Sequence, residues 1–362
     1  MIKYVIPIAA GAYTALAACT TYDTKTAVQQ SQDSTIQPAI VTEAVAYDSD
    51  DPAIWINPAN PAQSLIIGTD KSEDGALYVF NLQGKIQQDK VVKGLKRPNN
   101  VDIAYGLPLL GKPTDIAVAT ERLNSKLRIF SVPGMQPVDQ GGIPVFSGEQ
   151  PEDNHAPMGV ALYKNKKGQQ YAIVGRKSGP SGSYLWQYLL EDDGAGHVKA
   201  SLVRKFGQYS GGKEIEAIAV DQQLGYIYYS DEGKGVRKYF ADPEKGNQEL
   251  ALFATTGFTE DHEGISIYQL TDSTGYILVS DQGANKFHIF PREGANGNPH
   301  QHNPLKVVKV SANHSDGSDV VAIPLNETFR HGLFVAMSDN KTFHLYRWED
   351  IAGKTLKMAP SR

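Results

Sequence analysis

Six times along the chain the same order of apolar and polar positions returns, at intervals of roughly fifty residues. Each unit opens with a short apolar run, led in five of the six by a polar residue: DDPAIW (50–55), NVDIAY (100–105), MGVALY (158–163), EAIAVD (216–221), EGISIY (263–268) and DGSDVV (316–321). A second run follows and ends in polar residues: LIIGTD (65–70), DIAVAT (115–120), YAIVGR (171–176), YIYYSD (226–231), YILVSD (276–281) and LFVAMSD (333–339). A third is rich in aromatics: ALYVFNL (76–82), KLRIFSV (126–132), SYLWQYL (183–189), GVRKYF (235–240), KFHIF (286–290) and TFHLYRW (342–348). Runs this short, divided by turn residues, predict strands rather than helices.

Repeats of this length built from short strands predict an all-β, six-bladed β-propeller. A fourth strand is expected at Val91-Val92, Val145-Phe146, Val198 to Phe206, Leu250 to Phe253 and Leu305 to Val310, and the sixth unit runs out of chain before supplying one. The stretch Ala39 to Ala46 has the same character and precedes the first unit. It is predicted to close the ring by pairing into the last blade, since an open edge is a liability. Composition agrees: 18 Tyr, 12 Phe and 34 Gly in 362 residues suit strands and turns.

Ahead of the repeats stand Lys3, an apolar stretch from Tyr4 to Ala18, and Leu16-Ala17-Ala18-Cys19, which has the form of a bacterial lipobox. The expected organisation is a lipoprotein signal peptide over 1–18, lipidation at Cys19, a polar tether over 19–37, and the propeller over 38–362. Thr20 after the cysteine favours an outer-membrane anchor, so the domain is expected to be exported and to touch membrane only through its lipid. The single cysteine leaves no internal disulfide to form. A net charge of −5 supplies no basic field for nucleic acid. A monomer is expected.

In a propeller the first strands line the channel, so equivalent positions meet at one mouth. The opening residues then form a ring: Asp50 with Asp51, Asn100 with Asp102, Met158, Glu216, Glu263 with Asp261, and Asp316 with Asp319. Carboxylates this close repel and raise one another's pKa unless cations offset them. Hard oxygen ligands in such number select calcium, in several ions, over zinc or copper. A second ring at the ends of the second strands is split by sign. Asp70-Lys71, Glu121-Arg122 and Arg176-Lys177 stand on one half, and Asp231-Glu232, Asp281-Gln282 and Ser338-Asp339 on the other. Cations on one side and Lys and Arg on the other suit a phosphorylated small molecule.

These residues resemble the β-propeller phytases, calcium-dependent phosphatases acting on inositol hexakisphosphate. The resemblance covers residues 38 to 352 and rests on DDPAIW at 50–55, NNVDIAY at 99–105, ATER at 119–122, IEAIAVD at 215–221, SDEG at 230–233, EDHEGISIY at 260–268, SDQG at 280–283, SDGSDV at 315–320, GLFVA at 332–336 and RWEDIA at 347–352. It implies calcium around Asp50, Asn100, Asp102, Glu216, Glu232, Asp261, Glu263 and Asp316; the column argument adds Asp51, Asp231 and Asp319. It implies phosphate binding by Lys71, Arg122 and Lys177, to which the column argument adds Arg176. Where the family has Glu-Pro-Tyr-Gly, this chain has Ala156-Pro157-Met158-Gly159, and Glu216-Ala217 stands for its Glu-Gly.

The expected reaction is metal-assisted hydrolysis of phosphomonoesters, water attacking phosphorus in line, with Glu216, Glu263, Asp50 and Arg122 as catalytic residues. There is no G-x-S-x-G elbow, P-loop, H-E-x-x-H or CxxC. Two alternatives remain open on residues alone: a calcium-dependent propeller lactonase or esterase, and a non-catalytic binding propeller.

Overall fold

The computed structural model describes residues 29–30, 34–259 and 261–361. Six sheets form the six blades. Their inner strands are Ser49–Trp55, Pro98–Leu109, Pro157–Lys164, Ile218–Asp221, His262–Gln269 and Ser318–Val321, each followed outward by an antiparallel partner from its own unit. The signal peptide and Cys19 lie outside the described residues.

The second strands are apolar in unbroken runs because both faces of each sheet are buried against neighbouring blades. Ile67 packs with Ala117 and Ala119 between blades one and two, whereas its neighbour Ile66 packs with Leu333 and Phe343 between blades one and six. Each of the six junctions has such a cluster, so the core is a ring of inter-blade layers. Buried hydroxyls pin the junctions further. Thr69 Oγ1 donates to the Asn99 carbonyl at 2.8 Å, Thr120 Oγ1 to Met158 at 2.6 Å, Ser230 Oγ to Glu263 at 3.1 Å and Ser280 Oγ to Ser315 at 2.8 Å. Each bond runs from the end of a second strand to the start of the next blade's inner segment, directly under one mouth of the ring.

The ring closes as the sequence predicts. Ile40–Val41 pairs antiparallel with Thr342–Arg347, and Ala39, Thr42 and Val45 donate to Leu345, Phe343 and Lys341. Two details differ. Part of the stretch expected to be a tether runs along blade five: Gln29–Gln30 pairs in parallel with Lys306–Lys309, and the Ile36 N–H donates to the Lys309 carbonyl at 2.8 Å. The outer edge of blade two is not Val145-Phe146 but two short pieces, Gln136–Pro137 and Ile143–Pro144, both on Lys126–Val132. Val145 and Phe146 turn inward instead and fill the layer between blades two and three.

Candidate active site

Strand alternation decides which charges reach the mouth. At the end of each second strand two polar residues follow one another, and successive side chains point to opposite faces. The first of each pair is buried and fastens the segment leading into its own blade. Asp70 Oδ1 accepts the Tyr47 and Asp48 N–H groups at 3.1 and 2.7 Å. Glu121 accepts Lys96 N–H at 2.8 Å, and Arg176 donates to the Asn154 carbonyl at 3.0 Å. Asp231 accepts from Ser210, Asp281 from Thr259, and Ser338 Oγ from Asn313. The second residue of each pair is the one left for the mouth: Lys71, Arg122, Lys177, Glu232, Gln282 and Asp339.

Two assignments made from the columns are thereby corrected. Arg176 is fully buried, paired with Glu149 at 2.8 Å and set over the rings of Phe146, Tyr184 and Trp186, so its guanidinium is spent inside the blade and not presented at the mouth. Asp231 is likewise buried, ion-paired with Arg237 at 2.8 Å and bonded to Ser210 at 2.7 Å. Its oxygens are engaged there, which leaves Glu232 as the carboxylate of that pair at the mouth.

Glu216, Glu232 and Glu263 each bring a carboxylate oxygen within 4.8 Å of the others. Burial pushes Glu232 up to about 8, with Glu216, Asp261 and Glu214 adding to it. Glu263 is driven well above the usual carboxylate range by burial and then by Glu232 and Glu216. Glu216 is raised by burial, with Lys71 pulling the other way. Asp50 is raised by burial despite its ion pair with Lys71, whose Nζ also lies 3.6 Å from Asp316. Amides complete the group: Asn99 donates to Glu216, and Gln282 to Asp316. Among the described residues, Oε2 of Glu263 and Oδ1 of Asn99 and of Asn100 are buried at the mouth without a hydrogen-bond partner, and Oδ1 of Asp50 has only its ion pair with Lys71.

Asp51 stands between mouth and channel. It accepts Val101 N–H of blade two at 3.0 Å, and its carboxylate lies against Gly317, where a Cβ would collide with it. Asp102 and Asp319 lie deeper, on the channel wall, and act as clasps between blades. Asp102 accepts Leu162 N–H at 2.7 Å and Ile103 N–H at 2.7 Å; Asp319 accepts Ile54 N–H at 2.8 Å and Val320 N–H at 2.7 Å. The group of three glutamates at the mouth does not include them; with Asp51 they line the channel. Both openings put a second acid two or three residues down the inner strand, where the strand has already descended into the channel.

The basic half is present. Lys177 is 3.6 Å from Glu214, and Arg122 lies close enough to Glu216 to favour its ionised form. The opening of blade three, Ala156-Pro157-Met158-Gly159, has no side-chain oxygen: Ala156 and Met158 are both buried, and Gly159 packs so tightly on the Glu216 carbonyl that a Cβ would not fit. Sequence reasoning missed Asn99, Glu214 and Lys213. Asn99 precedes a recognised opening residue, but Glu214 and Lys213 belong to an inter-blade loop outside the repeat alignment. Lys213 Nζ meets both oxygens of Asp261, at 2.5 and 2.7 Å.

A profile of the phytase family matches residues 4–358 of the chain. The 3-phytase of Bacillus subtilis (strain 168) is 30% identical over 326 residues, spanning 84% of this chain and 80% of that protein. Among solved structures, an α-L-arabinanase of Penicillium chrysogenum complexed with arabinobiose superposes with a TM-score of 0.53 at 12% identity, covering 87% of this chain and 98% of that one. A chain of the mitotic checkpoint complex gives 0.50 at 10% identity, covering 94% and 98%. At such identities these two bear on the fold alone.

Proposed function

The chain belongs to the phytase family and hydrolyses the phosphate esters of phytate as a 3-phytase, and from that premise we propose that the acid cluster at the mouth is the reaction centre and holds several calcium ions. The observation that carries this is the convergence of Glu216, Glu232 and Glu263 within 4.8 Å, next to a buried Glu263 Oε2 without a partner. Like charges so placed are costly as anions without a compensating cation. The donors are carboxylate and amide oxygens throughout, the set that calcium takes. Asp50, Asn100, Glu216, Glu232, Asp261, Glu263 and Asp316 would hold the ions, with Asp51 at the channel side. Calcium, when bound, supplies positive charge that offsets the carboxylates and polarises the phosphoryl oxygens.

The chain's own groups do the rest. Arg122 presents a planar guanidinium to two oxygens of one phosphate, and Lys71 and Lys177 act as point charges. Glu263 takes up a proton from the water that attacks phosphorus in line, the P–O bond to the inositol ring breaks, and the departing oxygen takes a proton from solvent. Glu216 and Asp50 orient that water and the reacting group. Phytate, with phosphates all round its ring, meets the basic and the acidic half at once. Export, lipidation at Cys19, an outer-membrane anchor and a monomeric state belong to this proposal on sequence grounds.

Phosphate release from phytate, measured with and without a calcium chelator and beside a phenyl ester, tests the reading. Release that stops on chelation and returns with calcium is expected. Release indifferent to chelation, or a faster phenyl ester, contradicts it.

A further inference from the structure

The mouth carries cations of its own, and each lysine there sits on a carboxylate: Lys71 on Asp50 and Asp316, Lys177 on Glu214, and Lys213 on Asp261. Lys213 differs from the others in two ways. It stands among the acidic blades, and its side chain is 56% exposed while that of Asp261 is only 16% exposed. Its backbone is nevertheless well held. The Tyr209 hydroxyl donates to the Lys213 carbonyl, the Tyr209 ring packs on Tyr184 with centroids 4.5 Å apart, and Glu232 N–H donates to the next carbonyl, that of Glu214, at 3.2 Å. A long, solvated ammonium arm is thus mounted on a fixed base, just after the Gly211-Gly212 bend, where Gly211 has a φ of +79°.

Resting on the proposal that Asp261 is one of the calcium ligands, we infer that Lys213 is a further phosphate-binding residue, held on Asp261 in the metal-free protein and released to the substrate when a cation takes that carboxylate. One ammonium contacts both oxygens of Asp261, so a divalent cation on that carboxylate would repel Lys213 and compete with it. Displaced from Asp261, the ammonium stays at the mouth, because the Tyr209 and Glu232 bonds hold its backbone and the surrounding field is acidic. A polyphosphorylated substrate seated on Arg122 and Lys177 then presents its remaining phosphates to this side, where the repeat columns supply no cation. Lys213 gives that side a direct cationic contact. It also couples calcium to substrate: calcium on Asp261 repels the lysine from that carboxylate, and phosphate bound to the lysine keeps it from returning.

The alternative is an ordinary surface ion pair, which contributes to neither. Calorimetric titration of the calcium-free protein separates the two, with parent, Lys213→Met and Lys213→Arg compared, followed by titration with inositol hexasulfate, a non-hydrolysable polyanion, at saturating calcium. Lys213→Met is expected to bind calcium roughly two- to fivefold more tightly, the range an exposed ion pair is worth, and to bind the hexasulfate more weakly by a similar factor. Lys213→Arg, which keeps a cation on Asp261, is expected to behave like the parent in both. Calcium affinity unchanged or weakened in Lys213→Met overturns the competition, and unchanged hexasulfate affinity overturns the role toward substrate. A parent that binds no calcium overturns the metal assignment itself, a result distinct from either.

Discussion

Asp70 and Lys71 are neighbours in the chain and face opposite ways: Asp70 holds the backbone of Tyr47 and Asp48 inside blade one, while Lys71 reaches out to Asp50 and Asp316 at the mouth. With Thr69, which bonds to Asn99 of the next blade, three consecutive residues join two blades, fix a loop and place a charge. The same division recurs around the ring and yields contrasting expectations for adjacent residues.

Arg176 and Lys177 provide the sharpest contrast. Removing the buried Arg176 guanidinium in Arg176→Ala leaves carbonyls and Glu149 without their partner, and a loss of about 3 kcal/mol is expected, read as a lower midpoint in denaturant. Lys177→Ala is expected to keep the parental midpoint and to raise KM for phytate. Equal stability of the two variants would contradict the division.

The hydroxyl bonds under the mouth are worth testing at Thr120. Thr120→Val removes the donor to the Met158 carbonyl and the acceptor for Asn100 N–H, and about 1–3 kcal/mol of destabilisation is expected. Thr120→Ser should recover most of it. A valine variant as stable as the parent would show that these bonds do not hold the blades together.

Closure of the ring predicts that deletion of residues 38–47 lowers the thermal midpoint of the whole domain. The deletion removes the strand on Thr342–Arg347 and the Thr42 Oγ1 acceptor for Phe343 N–H. A truncated protein that melts with the parent contradicts this.

How stability responds to pH should depend on calcium. Glu232 is raised from 4.5 to about 8, chiefly by burial. The unfolded chain releases this proton near 4.5, whereas the folded chain holds it until about 8. Between these values the unfolded state binds fewer protons, so stability of the calcium-free protein falls as pH rises. Thermal melts of chelated protein across that window should show the decline, and excess calcium should remove it. A midpoint that rises with pH without calcium contradicts the placement of Glu232.

The six blades were legible because both faces of every second strand are buried, which writes unbroken apolar runs such as LIIGTD and YILVSD into the chain. The acid ring was legible for the same reason: a repeat carries equivalent positions to one mouth. What the columns did not separate was depth and facing. Arg176 and Lys177 look alike as a basic pair, and only the alternation of side chains tells the buried one from the available one. Asp102 and Asp319 share the ring's columns, and only the descent of the inner strand shows that they line the channel with Asp51. Lys213 was not legible, since a loop has no column, and its partnership with Asp261 arises from tertiary placement alone.

The central claim is that carboxylates from blades four and five form a calcium-dependent reaction centre. Calcium-dependent phosphate release from phytate by Glu216→Gln and Glu263→Gln, each checked for an unchanged fold by circular dichroism, tests it most directly. Both variants are expected to lose that release while remaining folded. Parental release by both would contradict the account.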